Sequence, residues 1–357
     1  MQIPTSKNLP IQHLAAVFND VTNSYKFYWF LGILESVGME QKCTIPIDTI
    51  LAKMVAEVWY PVHYFKLSFG KQDQLAQYTD KIKTDFALAN DTKKTEIAQF
   101  VTVNALKIIR PLANYVPYRF LTPWFVQDLQ RMVDRQKNPL IAKLAQEKDR
   151  FSLYYFDENE THIIINEDWY EYIKQHYSIL QAFTYWHLLK YLQKNNLNTP
   201  NIIEKLQPPQ KRNLTVARNF WNIALDNQTV SCVFSNETID KTSYSLDHFV
   251  PWSFVTHDLL WNLLPIPKSV NSSKSDNLPN LQRYLDGFAD LQHQAFLNVL
   301  QTNPKIVEDY AVLFGKEVSQ IQQMPNFIFK QKINETITPL VQIAANMGFS
   351  NNWIFQK

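Results

Sequence analysis

The chain has 357 residues and a net charge of +2, with 46% hydrophobic, 14% aromatic and 19% charged residues. That balance excludes a disordered polyelectrolyte and provides apolar material for two or more compact units. Two distant cysteines, Cys43 and Cys232, exclude a disulfide framework or a four-cysteine zinc site within the chain and fit a reducing cytoplasm.

The first ten residues, MQIPTSKNLP, lack a charged segment followed by an apolar secretion core. No apolar run approaches the ~20 residues of a membrane span, so no membrane partner is expected. Only six glycines occur, which favours a mostly helical chain over a turn-rich sandwich. Apolar residues recur at helical spacing in Tyr25–Val37, Ile47–Tyr60 and Thr95–Ile109. A helical module over 1–125 is expected, with the aromatic run Phe27–Phe30 read as core. Pro111, Pro117 and Pro123 then mark a rigid connector. A hairpin is predicted from Phe151–Phe156 and Thr161–Asn166, with a helix over Glu167–Leu192. These place a hairpin-plus-helix connector region over 126–209, ending in the proline-rich Asn195–Pro209. From 210 onward a helix at Leu214–Asp226 and a strand at Thr229–Phe234 are expected. Helices should follow at Leu281–Leu300, Lys305–Phe314 and Asn326–Met347, the last a candidate for breakage at Pro339. The expected fold class is mainly α with a small α+β part. No glycine-rich phosphate loop is present, which argues against intrinsic ATPase or dehydrogenase activity.

The legible chemistry lies in Asp247–Pro279, DHFVPWSFVTHDLLWNLLPIPKSVNSSKSDNLP. Tyr244–His248 and Leu263–Ile266 read as strands and Lys268–Lys274 as a short helix. Two strands and a helix would bring positions 247, 248 and 271 together. Phosphodiester hydrolysis needs an activated water, relief of charge on the phosphoryl oxygens and help for the leaving group. Asp247 offers a hard carboxylate oxygen for Mg2+ or Mn2+, and Asn271 an amide oxygen. His248 can take a proton from water near neutral pH. Asn262, donor and acceptor in one amide, suits pinning the loop that holds the histidine.

This segment resembles the HNH nuclease domain of the RNA-guided CRISPR effector nucleases, through the D-H-x-V-P-x-S-F opening and the N-x-x-K-S-D-N-x-P ending. The resemblance covers Asp247–Pro279 alone, so the wider HNH endonuclease superfamily is the name it supports. It implies metal binding at Asp247 and Asn271, general-base work at His248, support at Asn262 and products with 5′-phosphate and 3′-hydroxyl ends. Many HNH proteins flank the motif with cysteine pairs that bind zinc. Cys232-Val233-Phe234-Ser235 has serine where a second cysteine would stand, so no structural zinc is expected.

Lys268 and Lys274 flank Asn271 and are candidate phosphate contacts, as are Lys211, Arg212 and Arg218 just before the motif. Together these readings point to a nuclease domain over 210–357, acting on DNA, with RNA as the other substrate to test. Such architectures suggest bacterial defence or restriction by analogy. Double-strand cutting would call for a homodimer or repeated action, and a partner protein could dock on the helical module. The rival readings are a nuclease subunit activated by such a partner, and a nucleic-acid-binding or interaction protein with a silent HNH unit.

Overall fold

The structure is a computed structural model that describes residues 2–356. It is 60% helix and 6% strand, mainly α with a small α+β part. The chain divides into two compact units. One takes the residues up to Leu197 together with Ile202–Pro208; the other takes Asn198–Asn201 and everything from Pro209.

In the first unit, helix α1 (Tyr25–Gly38) is apolar on nearly every side, with Phe27, Tyr28, Trp29, Phe30, Ile33 and Leu34 buried and only Lys26 and Glu35 charged. A helix whose charged groups are confined to its two ends must be surrounded by other elements along its middle. Helices α2 (Ile47–Trp59) and α3 (Glu167–Asn195) supply that cover. Two glycines set the close approach. A Cβ on Gly32 would stand 2.8 Å from Ile50 Cγ2 on α2, and one on Gly38 would stand 2.3 Å from the Tyr177 ring on α3. Strands β1 (Thr44–Pro46), β2 (Tyr154–Phe156) and β3 (His162–Ile165) form an antiparallel sheet in the order β1-β3-β2. The 151–166 hairpin is therefore present, and β1 adds a third strand beyond the predicted two.

The end of α2 carries a pH-dependent element. Beyond Trp59 the helix widens into a π-turn at Tyr60–Tyr64, where Pro61 has no N–H to donate and Phe65 N bonds to Tyr60 O at 2.9 Å. His63 is thereby buried, edge-on to Trp59 and 3.5 Å from Asp80. Burial, assisted by the nearby Lys83, depresses its pKa to about 4. The unfolded chain therefore takes this proton first as the pH falls. The contribution is complete above pH ~6.5 and is lost on descending towards pH 4, amounting to about 3 kcal/mol at the low end. Urea unfolding at neutral and acidic pH should show a smaller acid loss in His63→Leu than in the parent. An identical acid loss in both would contradict this assignment.

The second unit is built around helices α4 (Thr215–Asn227), α6 (Leu281–Thr302) and α7 (Asn326–Asn346), with a two-stranded sheet and the short helix α5 (Lys268–Lys274) between α4 and α6. Two expectations fail here. Helix α7 runs unbroken through Pro339. That proline is exposed, so the carbonyl it leaves unpaired one turn back can face water, while Phe329, Ile333, Ile337, Val341 and Ala344 hold the opposite stripe on the core. Thr229–Phe234 is not a regular strand: Ser231 makes a single antiparallel bridge to Thr238, and the chain turns between them. Asn236 adopts left-handed backbone (φ 61°), and its N–H closes onto Cys232 O at 2.9 Å.

The chain after α7 returns to the segment after α5. Leu278 N bonds to Ser350 O, Trp353 N to Leu278 O and Asn280 N to Trp353 O, all at 2.8–2.9 Å. This strap ties the short α5 segment to the long helices.

Candidate active site

Strands β4 (Ser245–His248) and β5 (Leu263–Ile266) pair antiparallel, with Asp247 opposite Leu264 and His248 opposite Leu263. Helix α5 follows after Pro267 and packs on β4. The arrangement is ββα, with the candidate residues Asp247 and His248 at the end of β4. The long loop from Phe249 to Asn262 is fixed from within. Asn262, fully buried, accepts from Val250 N and donates to Val250 O, each at 2.9 Å, while Phe249 N donates to the Asn262 carbonyl at 2.8 Å. One amide thus satisfies both backbone groups of Val250, which burial would otherwise leave unpaired.

Asp247 is nearly buried and faces α5. The fully buried Lys274 sets its ammonium 3.0 Å from Asp247 Oδ2 and donates to the His248 carbonyl at 2.7 Å. The approach to Oδ2 is an ion pair without hydrogen-bond alignment, so that oxygen has no hydrogen-bond partner among the described residues. Lys274, expected to meet phosphate, is instead an internal counter-charge that draws α5 onto β4. Asn271 lies one turn earlier on the same face of α5, half-buried, and Lys268 begins the helix in solvent.

His248, 4% exposed, faces the loop. Its Nε2 stands 2.9 Å from Asp258 Oδ1 and 3.2 Å from the His257 carbonyl, two acceptors. Its Nδ1 stands 3.4 Å from Arg212 Nη1, a group that can only donate. These partners assign the proton to Nε2 and leave a lone pair on Nδ1. The Arg212 guanidinium also lies 3.6 Å from Asp258 Oδ1 and 5.2 Å over the Trp252 ring. Lys211, Arg212 and Arg218 line a cavity of about 750 Å³ at the start of α4, with Asn219 and Asn222 on its wall. The guanidinium of Arg218 is spread over Tyr244 at 5.3 Å. His257, inside the same loop, turns its ring towards Trp261 at 5.2 Å.

Residues 232–280 match the family of HNH endonucleases. Over those residues the chain is similar to HNH endonucleases. No curated protein and no solved structure matches the chain. The matched segment begins at Cys232, in the turn that Asn236 closes. Phe234 projects from that turn, stacking over Phe249 at 6.1 Å and meeting Tyr284 and Trp353 edge-on at 5.0 and 5.2 Å. The turn is thus anchored by aromatic packing against α6 and the returning strap, contacts that stabilise this end of the domain.

HNH nucleases act on nucleic acid and generally use divalent metal ions. The residues present fit such an ion. Asp247 offers a hard carboxylate, whose Oδ2 already faces the Lys274 ammonium at 3.0 Å and lacks only an aligned hydrogen bond, and the Asn271 side chain provides a second hard oxygen. Among the described residues no three His, Cys, Asp or Glu side chains converge. An ion at Asp247 would therefore keep most of its coordination for water and phosphate.

Two side chains at this site, Asp258 and the deeply placed Lys274, have structural positions that the sequence pattern did not assign. Asp258 follows His257 in the motif loop, and an aspartate within the same loop as a candidate base was the available signal.

Proposed function

We propose that the chain is a metal-dependent endonuclease that hydrolyses phosphodiester bonds of DNA. His248 is the general base, Asp247 and Asn271 hold Mg2+ or Mn2+, and Asn262 fixes the loop that carries the base. The observation that carries this reading is the state of His248. Its Nε2 is bound to acceptors and its Nδ1 lone pair faces the side from which Arg212 and the basic cavity are reached.

The ion, when bound, supplies Lewis-acid relief of the charge that builds on the phosphoryl oxygens. The remaining work belongs to the chain. Nδ1 of His248 takes a proton from the attacking water, and the imidazolium so formed is stabilised by Asp258. Lys211, Arg212 and Arg218 neutralise phosphates of the strand that leads into the site, where Lys268 offers a further contact from solvent. Lys274 holds Asp247 in place without touching substrate. The defence or restriction setting enters this reading by analogy alone.

A single experiment separates DNA cleavage from its rivals. The purified chain is incubated with labelled single-stranded DNA, duplex DNA and RNA in Mg2+ or Mn2+, with chelator as control. Cutting of DNA with metal supports the reading. Cutting of RNA alone overturns the substrate assignment, and silence relieved by a co-purifying protein favours the partner-activated subunit. Binding has its own signature. Lys211→Ala and Arg218→Ala should each lower the slope of log affinity against log salt by about one, because each removes about one phosphate contact. Gel-shift titrations at several salt concentrations measure it, and an unchanged slope in both variants removes them from the interface.

A further inference from the structure

We infer that Asp258 is the positioning residue of this nuclease, fixing His248 in the tautomer whose Nδ1 can accept a proton. The inference rests on the reading of His248 as general base. It deepens that reading by naming the side chain that makes the base competent.

A neutral imidazole carries one N–H, and the ring can act at Nδ1 only if the proton resides on Nε2. Two acceptors face Nε2, and they are not equivalent. The Asp258 carboxylate is the nearer at 2.9 Å and carries charge, whereas the His257 carbonyl lies at 3.2 Å and is neutral. Charge-assisted hydrogen bonds are roughly twice as strong as neutral ones, and the Arg212 donor at Nδ1 is longer at 3.4 Å, so Asp258 leads the choice of tautomer. It also becomes the counter-ion of the imidazolium that forms once the proton is taken.

The loop is shaped to deliver this carboxylate. After the helical turn Trp252–Val255, Thr256 adopts left-handed backbone at φ 51°, reversing the chain so that Asp258 returns to His248 ten residues after it. The same Oδ1 of Asp258 also lies 3.6 Å from Arg212 Nη1, and Arg212 is held over Trp252. One carboxylate therefore orients the base and places a guanidinium 3.4 Å from the nitrogen that must receive the proton. The phosphate that enters finds both already in position.

The test uses the full-length chain and its Asp258→Asn and Asp258→Ala variants, in two independent measurements. The first is nitrogen-15 NMR of histidine-labelled protein without metal, at mildly alkaline pH where a free imidazole is neutral. The parent should show His248 as a single Nε2–H tautomer. Asp258→Asn and Asp258→Ala should show a mixture or the Nδ1–H form. An unchanged Nε2–H tautomer in both variants assigns the task to the His257 carbonyl and to the Arg212 donor facing Nδ1, and overturns the inference.

The second measurement is the split between kcat and KM for cleavage of labelled duplex DNA in Mn2+. Loss of base orientation lowers kcat about 10- to 100-fold, within the range general-base catalysis supplies, with KM within about twofold. A rise in KM with kcat unchanged would mean that Asp258 acts only by holding Arg212 for phosphate binding, and would overturn the positioning role. Asp258→Glu should recover part of the lost kcat, since a carboxylate is again within reach, and no recovery over Asp258→Ala counts against it. The two readings fail separately. If the tautomer shifts in the variants but His248→Ala cleaves as fast as the parent, the positioning holds and the general-base assignment is the one that falls.

Discussion

His248→Ala should lower the single-turnover rate of DNA cleavage by about 10²- to 10⁴-fold, the range that a positioned general base contributes. The substitution removes the imidazole at the end of β4 whose Nε2 is held by acceptors and whose Nδ1 lone pair faces Arg212. It should leave the fold intact. The residue contributes its carbonyl to Lys274, and alanine retains that carbonyl. Asp258 keeps Arg212 as its counter-ion at 3.6 Å, so no buried charge is stranded. The same variant should bind DNA with parental affinity in chelator, because the proposed phosphate contacts lie on Lys211, Arg212, Arg218 and Lys268. Quench-flow cleavage and gel-shift binding separate the two effects. A loss of binding matching the loss of cleavage would place His248 in substrate anchoring.

Lys274→Met should destabilise the HNH unit by about 3 kcal/mol, since removing one partner of a buried ion pair leaves the other charge uncompensated. Lys274 is fully buried, Asp247 is 9% exposed, and the ammonium also satisfies the His248 carbonyl. Urea unfolding of the parent, Lys274→Met, Asp247→Asn and the double variant gives the coupling between the two side chains. The double variant should be more stable than Lys274→Met, because neutralising Asp247 removes the stranded charge. Additive effects, or a loss below about 1 kcal/mol in Lys274→Met, would mean that water or another group compensates Asp247.

The part of the site that is legible in the sequence is the part whose information is local. The alternation before His248, the apolar run at Leu263 and the polar turn of helix at Lys268 each declare their own secondary structure, and the loop between them fixes how they meet. The 151–166 hairpin is legible for the same reason. Strand β1 is not, because Thr44–Pro46 is three residues long and its partner lies near position 163, so only tertiary packing selects it. The environment of Lys274 is equally hidden. A lysine beside a candidate ligand suggests phosphate, and its burial depends on how α5 meets β4. Arg212 and Asp258 reach His248 from 36 residues before it and 10 after it, and the sequence carries no periodic signal for either approach. Pro339 shows the opposite error. The local rule that proline breaks helices is overridden by a long apolar stripe on one side and water on the other.

The most direct test of a metal-assisted nuclease at the end of β4 is the rate at which the purified chain nicks supercoiled plasmid as Mn2+ is raised from zero, with the ends of the cut strand mapped. Metal-assisted attack by a water that His248 deprotonates predicts no nicking in chelator, a rate that rises and saturates with metal, and ends bearing 5′-phosphate and 3′-hydroxyl. Nicking that proceeds undiminished in chelator, or that His248→Ala performs as fast as the parent, would contradict it.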